Sequence, residues 1–311
     1  MTSPYIMRKR VSSLGDLVDG TGLQVNDLGV GNIFYVNGGS DGPTNNNLSG
    51  EDKDNPKQTI TAALGLCVTG HNDYIRVLNY GGNARASETW PIAVTKDMVH
   101  IIGDRSTMGS KWATVTATGS NLSAFSVTGQ RCEIANLEIG GTAAGSGDAI
   151  TVGTLGGTWG CTVHDCWFGV ADGAGSYGVR VPSTFDAPYL TVYDCWFGPG
   201  LLIDGVRLTG VATRGRIGLP RHGNLFSLAA GIAINVPSSC VGLEIHDNRF
   251  SMLADTAGDA ITLAAGTSGC FIDGNSVACT KGAKTTKYFV DGSSSNHWGL
   301  NYVSGALLYP T

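Results

Sequence analysis

The chain has 311 residues, a formal net charge of −5, 42% apolar residues, only 14% charged residues and 46 glycines. This balance provides enough apolar mass for a sizeable core and favours short strands and tight turns over helices, whose surfaces draw on Lys and Glu. It excludes a basic stripe able to neutralise a phosphate backbone, and no window approaches the ~20 apolar residues that a bilayer span needs, so neither a nucleic-acid partner nor membrane insertion is expected.

Residues 1–31 match nothing downstream. Arg8, Lys9 and Arg10 read as a solvated tail, and no signal peptide is expected. Val11, Leu14, Leu17 and Val18, with Leu23 and Leu28, would be poorly buried in a lone tail, so this segment is expected to be an attachment arm that docks on another chain. IFYVN (33–37) alternates as a strand. The loop DGPTNNNLSGEDKDN (41–55) could offer Asp41, Asp52 and Asp54 to calcium but reads better as a solvated turn, and no cofactor is expected. In NPKQTITAALGLC (55–67), Ile60, Ala63, Leu64 and Cys67 share one face of a helix near 57–67, suited to covering the open end of a strand stack. YIRVLN (74–79), WPIAV (90–94) and MVHIIGD (98–104) read as further strands.

From there the chain repeats. EIANLEI (133–139), TVHDCWF (162–168), TVYDCWF (191–197), EIHDNRF (244–250) and FIDGNSV (271–277) are variants of one segment, with a degraded copy expected between Arg214 and Phe226. A second column precedes each: SAFSV, DAITV, YGVRV, DGVRL, AGIAI and GDAITL. The period is 25 to 29 residues, and each unit is two short alternating runs separated by turn residues. Such a unit is one coil of a right-handed, single-stranded parallel β-helix, an all-β solenoid whose successive coils stack ~4.8 Å apart. Alternation turns Val163, Cys166, Phe168, Val179 and Val181 inward and Arg180 outward, with Asn136, Asp165, Asp194 and Asp247 at a bend. Trp167 and Trp196 face outward one coil apart, available to a subunit contact or a sugar ring. The eight cysteines do not form a disulfide scaffold: Cys132, Cys166 and Cys195 fall in apolar strand patterns, and no metal site is expected from their spacing.

Chemistry is harder to find. The paired carboxylates of a glycosidase would come from Asp165 with Asp194, or from Asp148 with Asp204, yet turn and ladder roles explain both sets. RGRIGLPRHG (214–223) is the one basic, irregular stretch, and Arg214, Arg216 and Arg221 within it are the candidates for lyase chemistry. Arg180 and Arg207 share an outward column and could extend a positive surface toward an acidic glycan, but no acidic cluster is evident beside them. The six histidines are scattered along the chain.

The order IFYVNGGSDG, capping helix, NDYIRVLNYGG, MVHIIGD resembles the opening of pectin-lyase-like β-helix proteins. That resemblance covers roughly 32–280, the expected solenoid, with the arm expected at 1–31 ahead of it and, where the period breaks, a C-terminal cap and subunit-contact segment at 281–311. A low-charge β-helix with an arm and an aromatic tail further resembles phage tailspike and head-decoration proteins. What this implies is a homotrimeric structural protein of the virion, made in the host cytoplasm. Its arm would grip the major capsid protein or another virion protein, and its solenoid would meet a host-surface polysaccharide. The alternative on the same fold is a tailspike-type polysaccharide depolymerase, a hydrolase or a lyase.

Overall fold

The computed structural model describes residues 31–39, 42–79, 88–104, 113–118, 122–140, 147–169, 175–198, 201–228, 231–252, 258–279, 288–303 and 306–307. Among these, three parallel sheets form the walls of a right-handed β-solenoid: sheet A with ten strands, sheet C with nine and sheet B with eight. Each coil passes through B, A and C in turn. The repeated segment is therefore two strands, not one: Thr162–His164 lies in sheet A and Trp167–Phe168 in sheet C. Between them Asp165 has φ +50, and Asn136, Asp194 and Asp247 take the same left-handed conformation, which Asn and Asp tolerate better than other side chains. Each bend turns the chain sharply enough to start a new wall, so a coil has three strands where alternation showed two runs.

Stacking in register places like on like. Glu133, Thr162 and Thr191 align across sheet A, and Trp167 pairs with Trp196 across sheet C. Inside, Phe168, Phe197, Phe226 and Phe250 form a continuous stack, with ring centroids 4.7, 4.5 and 5.1 Å apart. Beside it, buried Asn224, Asn248, Asn275 and Asn301 satisfy one another and the backbone: Asn248 Nδ2, for example, donates to Ile217 O and to Asn275 Oδ1. A buried polar column survives only when its groups are paired in this way.

Helix α1 (Ile60–Leu66) covers the first coil with Ile60, Ala63 and Leu64 buried. A helix this short depends on its caps. The Thr59 side chain accepts from Ala62 N, the Glu88 carboxylate accepts from Ile60 N at 2.8 Å, and Lys96 Nζ donates to the carbonyls of Leu64 and Cys67 at the other end. At the far end the solenoid does not stop near Cys279. Phe289–Asp291, His297–Trp298 and Tyr302–Val303 add one more strand to sheets B, A and C, and Ala306–Leu307 then folds back antiparallel. The expected cap at 281–311 thus contains a further coil, which the sequence hides because its strands are short and its period is broken.

Candidate functional site

One carboxyl with a raised proton affinity, Asp148, lies at the wall formed by sheet B. Ile150, Val179 and Val206 align in three successive coils of sheet B with their side chains in the core, and on the outer face Arg180 stacks on Arg207. The sequence reading found no acidic cluster beside this arginine column. The structure corrects that: Asp148 lies two residues ahead of strand Ile150–Val152 and Asp204 within strand Leu201–Leu208, with side chains only 4% and 2% exposed. Arg207 meets the Asp204 three positions ahead of it in the same strand, whereas Arg180 meets Asp148 in the preceding coil.

The two carboxylates have different surroundings. Asp204 is fully engaged, accepting from Arg207 Nη1 at 2.8 Å, from Ile232 N at 2.9 Å and from Asn235 Nδ2 at 3.0 Å. Among the described residues, the Asp148 side chain has a single long contact, 3.4 Å from its Oδ2 to Arg180 Nη1, and its buried Oδ1 has no hydrogen-bond partner. Burial pushes its carboxyl up to about 6, and Arg180 only partly opposes the shift. Tyr177 lies in the coil between the two acids, and the guanidiniums of Arg180 and Arg207 approach its ring to 5.0 and 5.2 Å. Segments 141–146, 170–174 and 199–200, which connect sheet C to sheet B ahead of these strands, lie outside the described residues.

The scattered histidines also converge. On sheet A, Glu133 lies 2.6 Å from both His100 Nδ1 and His164 Nε2, and Asp165 lies 2.8 Å from His164 Nδ1. Tyr74 stacks on His100 and Tyr193 on His164. Burial alone would raise Glu133, but hydrogen bonds from both imidazoles hold it down to about 2; burial alone would lower His164, but Asp165 and Glu133 raise it to about 9. This network is closed on itself, with every acid and imidazole nitrogen named here committed to a neighbour.

The remaining candidates do not assemble into one site. Asp165 and Asp194 are bend residues in adjacent coils, the first bound to His164 and the second to His222 Nδ1 at 2.7 Å. The three lyase candidates separate: Arg214 bonds the Tyr189 hydroxyl at the corner of sheets A and B, Arg216 pairs with Glu244 at 3.0 Å on sheet A, and Arg221 lines a groove at the corner of sheets A and C. Trp167 and Trp196 stack as expected, with centroids 5.2 Å apart. Asp52 accepts from Asp54 N and Asn55 N within its own turn, while Asp41 lies outside the described residues. Among the described residues no cluster of three or more His, Cys, Asp or Glu is placed to hold a metal ion. Val11, Leu14, Leu17 and Val18 lie outside the described residues.

With the coils and their faces established, the fold is that of pectin-lyase-like parallel β-helix proteins. No protein-family model matches the sequence, and no curated protein matches it. Among solved structures, the GH136 lacto-N-biosidase from Eubacterium ramulus is similar with a TM-score of 0.54 and 10% identity, over 87% of this chain and 60% of that one. This chain thus spans about three fifths of that enzyme's length. Pectate lyase Pel9A aligns with a TM-score of 0.42 and 13% identity, over 88% of this chain and 80% of its own.

Proposed function

We propose that this chain is a polysaccharide hydrolase whose reaction takes place on the outer face of sheet B. The observation that carries this reading is Asp148, a buried carboxyl with an unpartnered oxygen and an affinity for its proton raised into the range where general acids work. Asp204, in contrast, accepts from one cation and two further N–H donors. Two coils separate them, roughly 10 Å along the solenoid axis, near the upper end of the spacing with which inverting glycosidases leave room for a water molecule. In this reading Asp148 protonates the departing sugar oxygen, Asp204 activates water from the other side, and Tyr177 with its two guanidiniums forms the floor beneath the ring.

The test is release of reducing ends from a panel of bacterial and plant polysaccharides. Wild-type protein is expected to release them with inversion at the anomeric carbon, and Asp148→Asn and Asp204→Asn to abolish release while leaving the fold intact by circular dichroism. Undiminished release by Asp148→Asn, or no release from any polysaccharide by the wild type, would overturn the proposal.

A second reading, a homotrimeric spike or decoration protein of a virion attached through residues 1–31, has one observation in its favour. Leu155, Trp159, Tyr189 and Val241 are exposed at 80, 48, 40 and 50% along one corner of the solenoid, where a second solenoid lying alongside would cover them. Light scattering decides it: a trimer that Trp159→Lys converts to monomer supports the reading, and a monomeric wild type removes it.

A further inference from the structure

The basic stretch 214–223 lies where one coil departs from the repeat, and the departure builds something. Every other coil from Asn136 to Asp247 crosses from sheet A to sheet C through a single left-handed Asn or Asp. Here the chain inserts a tight turn instead, closed by reciprocal backbone bonds between Leu219 and His222 at 3.0 and 2.8 Å. Consecutive residues of that turn anchor the acids on either side: His222 Nδ1 meets Asp194 Oδ2 at 2.7 Å, and Arg221 N donates to Asp247 Oδ2 at 2.6 Å. The result is an open groove of about 610 Å³ lined by Asp194, Arg221, Leu225, Asp247, Arg249 and Ser276.

Two features of the groove point to a ligand. Arg221 and Arg249 are exposed, and among the described residues neither guanidinium meets a carboxylate, whereas Arg76, Arg180, Arg207 and Arg216 all do. The apolar side of the groove also continues along sheet C in strict register from Arg249 to Leu225, Trp196 and Trp167, one residue per coil. The indole pair is stacked, and Trp196 is 41% exposed, a flat apolar surface of the kind that packs against the face of a sugar ring.

We propose that this corner is a second, non-catalytic binding site for an anionic polysaccharide strand lying along the solenoid axis. A carboxylate or sulfate of one sugar pairs with Arg221 and Arg249, its hydroxyls donate to Asp194 and Asp247, and a neighbouring sugar stacks on Trp196. The site lies on a different wall from Asp148, so it holds the polymer without taking part in its cleavage.

The experiment is a glycan array carrying uronate-containing, sulfated and neutral oligosaccharides, probed with the labelled full chain, with intrinsic tryptophan fluorescence as a second readout. Signals confined to anionic glycans are expected, falling about tenfold or more in Arg221→Gln/Arg249→Gln and in Trp196→Ala, with quenching of Trp196 on binding. Asp148→Asn should bind as the wild type does, which separates this site from the hydrolase reading. Equal retention of neutral glycans, absence of any signal, or binding untouched by the double arginine variant would overturn the proposal.

Discussion

Asp148 and Arg180, thirty-two residues apart in sequence, meet at 3.4 Å in an ion pair that leaves Asp148 Oδ1 and Arg180 Nε without hydrogen-bond partners. A pair holding stability alone would be expected to close up, because an unpaired buried group costs about 1–3 kcal/mol.

The first prediction concerns the stability cost of that placement. Burial raises the folded carboxyl of Asp148 from its ordinary 3.8 to about 6, so the folded state binds the proton more tightly than the unfolded state does. Stability contributed by this group is then present at low pH and lost as pH rises through about 6. Asp148→Asn, which removes the ionisation but keeps an oxygen for Arg180, should raise the melting temperature above the wild-type value in neutral buffer, and the gain should shrink as pH falls toward 4. Thermal melts across pH measure it directly.

The histidine–glutamate network on sheet A has the opposite signs at its two ends. His164 is raised from 6.5 to about 9, so its contribution is complete below the lower value and lost as pH rises through the higher one. Glu133 is lowered from 4.5 to about 2, so its contribution is present above the former and lost as pH falls through the latter. Melting temperature should therefore decline on the alkaline side over the interval up to about 9, and His164→Gln should flatten that decline. An unchanged alkaline limb in the variant would show that the network contributes nothing in this range.

Phe226 lies in the middle of the aromatic stack, fully buried between Phe197 and Phe250. Each neighbour is fixed by the coil beyond it, so the stack cannot collapse into a void. Phe226→Ala should cost about 3–5 kcal/mol in urea unfolding, toward the upper end of what an aromatic deletion costs.

Seven cysteines are buried thiols, and burial pushes the Cys67 thiol up to about 12. Reactivity requires access to solvent, which these buried positions do not offer. A thiol reagent added to native protein should leave Cys67, Cys132, Cys161, Cys166, Cys195, Cys240 and Cys270 unmodified, and in denaturant it should label all eight cysteines of the chain. Rapid native labelling of any of the seven, located by mass spectrometry, would contradict the packing.

The solenoid was legible because its repeats are self-reporting: TVHDCWF and TVYDCWF differ at one position and stack one coil apart. The capping helix was legible from one apolar face, and the Trp167–Trp196 stack from alternation alone. The third strand of each coil was not, because a two-residue strand such as Trp196–Phe197 is too short to show a period. The last coil was lost for the same reason. Among the candidate residues, Asp148 and Arg180 were each noted, but their meeting was not, since they lie in neighbouring coils that alternation along one strand cannot relate.

The sequence by itself determined the architecture. A near-repeat of 25 to 29 residues has one low-energy solution, in which each coil hydrogen-bonds to a copy of itself and like side chains stack inside. Only the tertiary structure decided where chemistry is possible. His100, Glu133 and His164 come from three successive coils and Asp194 and His222 from two, and their side chains meet only once those coils are stacked. Repetition specifies what lies above and below a residue, whereas a site is made diagonally across coils and around corners, where the repeat is silent.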